Sequence, residues 1–254
     1  MYKNCYVTRG EEYNHYNIHL WDDNGYSVEE FQNYGYIECQ EAQATHRGLG
    51  NEPLKKVTSW DRDTIGLHYA DHNRGNIHTK FLIDKYGING EVSKTHREVF
   101  FDIEIEMGGA LTPTYIQKAP KPITSIAWWD KQLDEWAIVI LDKTGEIKEG
   151  IQDGREIIPV KRETDLIEVF LSRMEAIQPD ILVGYNSDYF DIPYIYYRIK
   201  NRLGDRHAKR LSPIGIVEER NPKYHPDQPI KIAGVSSLDY MRLHKNILLN
   251  KNHL

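Results

Sequence analysis

The chain has 254 residues, of which 40% are hydrophobic, and a formal net charge of −6. These values are typical of one or two globular domains and argue against disordered or fibrous classes. No apolar run approaches the ~18 residues of a membrane-spanning helix and no apolar signal core opens the chain, so we expect a cytoplasmic protein without a membrane partner. Two cysteines, Cys5 and Cys39, are too few for a four-ligand zinc site and indicate reduced thiols.

Charge is distributed unevenly along the chain. Residues 198–254 contain 12 Lys and Arg against five Asp and Glu, whereas residues 1–197 contain 20 against 33. Much of the positive charge lies in residues 198–210. A basic run of this kind is usually a solvated helix face, and an anionic partner such as a nucleic acid is the alternative.

The chain changes in texture near residue 96. Residues 1–95 are rich in Tyr, Asn and Gly, with strand-like pieces at 16–21 and 35–39, and predict a small, mostly β N-terminal domain. Residues 96–254 predict a second, α/β domain. Its expected elements are strands at 98–106, 123–129 and 136–141, a helix at 164–178, a strand at 180–184 and a helix opened by Pro193. Three antiparallel strands followed by helix, strand and helix is the order of a ribonuclease H-like fold, a mixed sheet with flanking helices.

Two acidic residues, Asp102 and Glu104, interrupt the apolar pattern of the first of these strands. Alternate residues of a strand face the same way, so both carboxylates share one face, roughly 7 Å apart. For an isolated pair of acidic residues, a polar strand face is the better explanation. Carboxylates between large apolar residues must however be solvated, paired or metal-bound, and two divalent ions held by carboxylates are the apparatus of phosphodiester hydrolysis.

A second motif, Asn186-Ser-Asp-Tyr-Phe190-Asp191, follows the strand at 180–184. Together with Phe-Phe-Asp102-Ile-Glu104 it resembles the exonuclease motifs of family B (polymerase alpha-like) DNA polymerases, particularly those of tailed phages. Residues 209–240 resemble the segment that in this family carries a β-hairpin helping to part primer from template. The resemblance extends over about residues 96–245 and is looser in residues 1–95.

The resemblance implies a 3′–5′ proofreading exonuclease that acts on the 3′ end of single-stranded DNA. Asp102, Glu104 and Asp191 would be its catalytic metal ligands for Mg²⁺ or Mn²⁺. Asn186 and Phe190 would hold the terminal nucleotides. Without the resemblance, a turn or cap residue and a core aromatic are the favoured explanations for them. The basic segment would contact the DNA backbone. Its candidate residues are Arg198, Arg202, Arg206, Lys209 and Arg210.

One element of the family pattern is missing. The third exonuclease motif, Y-x-x-x-D, which supplies a fourth carboxylate, does not occur in the chain. We therefore expect the N-terminal part of a DNA-directed DNA polymerase with a C-terminally incomplete exonuclease domain and an incomplete two-metal site. Such a chain would bind metal weakly and remove 3′ nucleotides poorly or not at all. The downstream polymerase portion would be its partner if the enzyme is split. Two alternatives remain: a self-standing ribonuclease H-like 3′–5′ exonuclease in which Asp239 replaces the missing acid, and a non-catalytic DNA-binding fragment.

Overall fold

The computed structural model describes residues 1–48, 50–58, 76–87, 93–106, 108–221 and 223–250, with side chains described up to residue 245. The chain divides into two compact units, Met1–Lys94 and Thr95–Leu254. Within the described ranges, no helix combines the length and the apolar composition needed to cross a membrane.

In its described residues, the first unit contains two three-stranded antiparallel sheets, one α-helix and a short 3₁₀ helix (Glu41–Gln43). The first sheet consists of β1 (Tyr2–Arg9), β2 (His15–Asp22) and β3 (Gly25–Gln32); the second consists of β4 (Gly35–Glu38), β5 (His46–Arg47) and β6 (Pro53–Val57), with β6 in the middle. The helix α1 (Ile77–Tyr86) begins after Asn76, whose side chain accepts a hydrogen bond from the Thr79 N–H. Phe81 of α1 packs against Ile18 and Leu20 of β2. The predicted strand pieces at 16–21 and 35–39 fall on β2 and β4.

The second unit is a mixed α/β structure. Its strands are β7 (Glu98–Ile105), β8 (Ile123–Asp130), β9 (Glu135–Leu141), β10 (Gly150–Gln152), β11 (Arg155–Val160), β12 (Ile181–Gly184), β13 (Val217–Glu219), β14 (Ile230–Ile232) and β15 (Ser236–Asp239). Its helices are α2 (Pro113–Lys118), α3 (Glu163–Ile177), α4 (Asp191–Leu203), α5 (Asp205–Ala208) and α6 (Tyr240–Asn250). Seven strands form one sheet in the order β10-β11-β9-β8-β7-β12-β15.

The centre of this sheet is the predicted meander. β7, β8 and β9 pair antiparallel in sequence order, which confirms that prediction. β12 and β15 extend the sheet as parallel neighbours beyond β7. The pairing of β15, which is not predicted from the sequence, brings the segment around residue 239 next to the end of β12.

Alternation along β7 separates a buried face from an open one. Val99, Phe101 and Ile103 are buried and pack with α3 and α4 in a single hydrophobic core. α3 contributes Leu166, Ile167, Phe170, Leu171 and Met174, which share one face of a helix with a period of about 3.6 residues. Phe100, Asp102 and Glu104 therefore lie on the opposite face of the sheet.

The predicted hairpin is formed by β13 and β14. Val217 is paired with Ile232 and Glu219 with Ile230, and residue 222 of the connecting turn lies outside the described residues. The Glu219 carboxylate accepts a hydrogen bond from the Tyr196 hydroxyl at 2.9 Å and pairs with Lys200. The hairpin is thereby attached to α4 at Glu219, the last paired residue of β13 before the turn.

Candidate active site

Asp102 and Glu104 lie on the open face of the sheet, as their spacing predicts. Both side chains are exposed. Their partners across the sheet are small, Ala127 opposite Asp102 and Ser125 opposite Glu104, which leaves room above the carboxylates. The surrounding protein nevertheless removes enough water to raise the pKa of Asp102 above its ordinary value.

Asp191 also lies against β7, although it belongs to the segment that follows the neighbouring strand β12. It is the first residue of α4, is 3% exposed, and accepts a hydrogen bond from the backbone N–H of Ile103 at 3.2 Å. Burial, and secondly the charge of Asp102, raise the pKa of Asp191 to about 7, while the Ile103 N–H opposes the shift. The structure therefore brings Asp191 together with Asp102, although 88 positions separate Asp191 from Ile103.

The predicted meeting of three carboxylates is less complete. Glu104 shares the face of Asp102 two residues further along β7, but in the part of the chain that the structure describes, no three Asp, Glu, His or Cys side chains are grouped so as to hold a metal ion. Asp102 and Asp191 still provide the donor chemistry that Mg²⁺ or Mn²⁺ prefers, oxygen atoms of carboxylates. The chemical type of the donors thus fits a hard divalent cation. Two of the three predicted ligands, Asp102 and Asp191, are neighbours.

The turn between β12 and α4 is tightly packed. A Cβ atom on Gly184 would lie 2.6 Å from the Cβ of Ser187, so only glycine fits at the strand end. Asn186 has a left-handed backbone conformation with φ 60°, and its carbonyl oxygen accepts hydrogen bonds from the N–H groups of Tyr189 and Phe190. Asn186 is therefore a turn residue whatever its side chain binds.

Phe190 ends this turn and is partly buried against the core. Its ring lies 5.5 Å from that of Tyr194, measured between centroids. Part of the Phe190 side chain is therefore used in packing against the core. A contact of Phe190 or Asn186 with nucleotides stays a prediction.

Asp239, which one sequence alternative makes a substitute metal ligand, is buried and accepts hydrogen bonds from several backbone donors. Its Oδ1 accepts hydrogen bonds from the backbone N–H groups of Asn186 and Met241, both at 2.9 Å, and its Oδ2 accepts one from Asp188 at 3.2 Å. A carboxylate whose two oxygens both serve backbone donors is a poor replacement for a missing metal ligand. An aspartate directly before a helical segment is a common helix-capping signal, and that signal could have identified its role.

The prediction that Arg198 contacts DNA is wrong. Its side chain is 3% exposed, and its guanidinium donates to both oxygens of Glu163 at 2.7 and 2.6 Å and to the carbonyl of Ala119 at 2.8 Å. Arg198 therefore joins α4 to the start of α3 and cannot reach a DNA backbone. The partner of Arg198, Glu163, lies 35 positions away and was not visible from the charge pattern alone.

The remaining basic residues are divided between paired and unpaired. Arg210 donates to Glu168 and Glu175 of α3, with ion-pair distances of 2.7 Å to each. Because two carboxylates already compensate its charge, Arg210 is a weaker candidate for a DNA contact. Lys209 forms an exposed pair with Asp205, which is weak enough to leave it available. Arg202 and Arg206 are exposed and form no ion pair with the described residues.

An aromatic cleft that is not predicted from the sequence opens beside Asp102. It has a volume of about 370 Å³ and is lined largely by aromatic side chains, among them Phe100, Trp129, Trp136, Tyr185 and Tyr240. The Trp129 and Trp136 rings stack with centroids 5.0 Å apart and 11° between their planes. Because Phe100, Trp129 and Trp136 occupy neighbouring positions on three paired strands, strand register would have been needed to find it.

Comparison with known proteins assigns the family. A sequence profile of the family described as DNA polymerase family B, exonuclease domain, matches residues 74–254, more than two thirds of the chain. The chain belongs to this family. Exonuclease domains of family B polymerases are generally metal-dependent, in agreement with the carboxylate donors around Asp102.

The relatives include phage and eukaryotic polymerases. The DNA-directed DNA polymerase of Escherichia phage RB69 is 28% identical over 251 residues, an alignment that covers 83% of this chain and 27% of the relative. That of Enterobacteria phage T4 is 36% identical over 125 residues, covering 48% of this chain and 14% of the relative. The DNA polymerase delta catalytic subunit of Dictyostelium discoideum is 40% identical over 47 residues, covering 18% of this chain and 4% of the relative. The chain thus spans about a quarter of the length of the RB69 relative.

Proposed function

We propose that residues 96–254 form the 3′–5′ exonuclease domain of a DNA-directed DNA polymerase, with a ribonuclease H-like fold, and that it removes nucleotides from the 3′ end of single-stranded DNA. The observation that supports this most is the contact of Asp191 with β7 beside Asp102, in a chain of the family B exonuclease domain family. The phage relatives are DNA-directed DNA polymerases, which supports the polymerase context.

Asp102, Glu104 and Asp191 would hold the divalent cation, Mg²⁺ or Mn²⁺. When bound, such ions lower the pKa of the attacking water and stabilise the leaving oxygen. The chain itself supplies a reason to bind a cation. Asp191 is buried next to another carboxylate, and both effects raise its pKa to about 7, so a nearby cation would relieve the repulsion between Asp191 and Asp102.

The aromatic cleft supports single-stranded DNA as the substrate. Aromatic side chains stack on bases irrespective of sequence, and cations follow the phosphates. Trp136, Tyr185 and Tyr240 are 45%, 69% and 50% exposed, so their rings are accessible beside Asp102. Asn186 and Phe190 would contact the terminal nucleotides, and Arg202, Arg206 and Lys209 would contact the backbone.

The proposal is tested by release of mononucleotides from single-stranded DNA labelled at either end. We expect slow release from the 3′ end in Mn²⁺, none in EDTA, and loss of release in Asp102→Ala. Glu135→Gln, which changes an exposed carboxylate at the start of β9, is the matched control and should retain the activity. Equal release, or equal absence of release, in the wild-type chain and Asp102→Ala would contradict the proposal.

A further inference from the structure

Asp239 is an acceptor for four backbone N–H groups from two separate segments. Its Oδ1 accepts from Asn186 at 2.9 Å, from Met241 at 2.9 Å and from Arg242 at 3.4 Å, and its Oδ2 accepts from Asp188 at 3.2 Å. Asp239 is itself 4% exposed. One buried carboxylate therefore joins the start of α6 to the turn that precedes α4.

The turn has a specific need for this support. Asn186 is held at φ 60°, a backbone conformation that costs free energy in a residue with a Cβ and persists when its surroundings impose it. In this conformation of the turn, the N–H groups of Asn186 and Asp188 both point toward Asp239. The carboxylate thus stabilises the turn by accepting its backbone donors, a charge-assisted and therefore strong kind of hydrogen bond.

Backbone hydrogen bonds connect the turn to the first residues of α4. The carbonyl of Asn186 accepts from Phe190 at 3.0 Å, and the carbonyl of Ser187 accepts from Ile192 at 3.0 Å. Asp191 lies between these two donors. Its position relative to β7 is consequently set by the turn that Asp239 holds.

A second clamp strengthens the same turn. The Asp188 carboxylate, 3% exposed, accepts from Arg242 at 2.7 Å and from the hydroxyl of Ser237. It also accepts from the Gln228 amide at 3.4 Å, just before β14. Main chain and side chain of the turn are therefore both attached to β15 and to α6.

We propose that Asp239 is a positioning residue, which holds the turn at 185–190 so that the Asp191 carboxylate reaches the Ile103 N–H beside Asp102. Its importance for catalysis rests on the proposed function, whereas the positioning itself does not. The hydrogen bond from Ile103 to Asp191 gives a direct report, because the Ile103 amide is protected from hydrogen exchange as long as Asp191 stays in place.

The experiment is amide hydrogen exchange on the full chain, comparing wild type with Asp239→Asn. We expect the amides of Asn186, Asp188 and Ile103 to exchange faster by roughly tenfold or more, while β8 and β9 keep their protection. Asp142→Asn is the matched control, since Asp142 is also a buried carboxylate and accepts the N–H groups of Gly145 and Ile147. It should loosen its own loop and leave Ile103 unchanged.

Unchanged exchange at Ile103 in a folded Asp239→Asn chain would overturn the proposal. Should that variant not fold, the wild-type chain decides in increasing denaturant: the amides of Asn186, Asp188 and Ile103 should open in one common step, and separate steps for the turn and for Ile103 would overturn the proposal.

Mn²⁺ affinity, measured on the same samples, separates positioning from function. We expect Asp239→Asn to weaken binding by about 10- to 100-fold, the usual effect of removing a group that orients a ligand. Faster exchange at Ile103 with unchanged Mn²⁺ affinity would support the positioning and contradict the metal-binding role of Asp191.

Discussion

The carboxylate of Asp191 and the backbone N–H of Ile103 form a 3.2 Å hydrogen bond between residues 88 positions apart. The bond lies just beyond the point where β12 stops pairing with β7, at Val183 and Phe100. Beyond the end of this pairing, a side chain from the start of α4 accepts a hydrogen bond from a backbone N–H of β7. This hydrogen bond brings Asp191 close enough to Asp102 for the two charges to interact.

The raised pKa of Asp191 predicts a pH dependence of stability in metal-free buffer. Its pKa rises from 3.8 to about 7 on folding, so the folded chain binds the proton more tightly, and the free energy of unfolding falls as the pH rises through this interval. Asp191→Asn keeps an acceptor for Ile103 and removes the charge. We expect Asp191→Asn to be more stable than wild type near pH 8 by up to a few kcal/mol, because each unit of pKa shift corresponds to roughly 1.4 kcal/mol.

Urea unfolding in EDTA measures this difference. The advantage of Asp191→Asn should shrink near pH 5, where the wild-type carboxyl is largely protonated in the folded chain. A difference that is the same at both pH values would contradict the burial of an ionisable Asp191.

Arg198 and Glu163 form a buried ion pair, and its disruption predicts a large loss of stability. Arg198→Met leaves the Glu163 carboxylate without its cation, which typically costs about 3–5 kcal/mol. Arg202→Met, on the exposed side of the same helix, should change stability by less than about 0.5 kcal/mol. Chemical denaturation of both variants provides the measurement, and similar losses would show that the Arg198 pair is not structural.

Gly184 predicts a local steric coupling. Gly184→Ala would place a Cβ 2.6 Å from the Ser187 Cβ, and we expect a loss of about 1–3 kcal/mol from overpacking. Ser187→Gly removes the nearest atoms, so the double variant should lose less than the sum of the two single variants. Additive losses in a double-mutant cycle would mean that the turn relaxes without this contact.

The exposed arginines predict the salt dependence of DNA binding. If Arg202 and Arg206 contact phosphates, replacing both with alanine should reduce the slope of log affinity against log salt by about 0.7 per lost contact on single-stranded DNA. Arg162→Ala removes an exposed arginine at the start of α3 and should leave the slope unchanged. Equal slopes for all three proteins would identify the basic segment as a solvated helix face.

Local periodicity predicted much of the second unit. The alternation in β7 and the helical spacing of Leu166, Phe170 and Met174 gave these elements to within a residue. The burial of Arg198 depends on its ion pair with Glu163, 35 positions away. The role of Asp239 depends on β15 lying next to β12. Such pairings across the fold leave no periodic signal in the sequence. In the first unit, α1 was missed because its apolar residues do not form a clear stripe.

Mn²⁺ binding to the chain, followed by electron paramagnetic resonance, tests the central claim that Asp102 and Asp191 form a cation site. The prediction is that Asp102→Asn and Asp191→Asn each weaken binding by roughly tenfold or more, because each removes a charged oxygen ligand. Glu135→Gln should bind Mn²⁺ as the wild-type chain does. Unchanged affinity in Asp102→Asn and Asp191→Asn would contradict the claim.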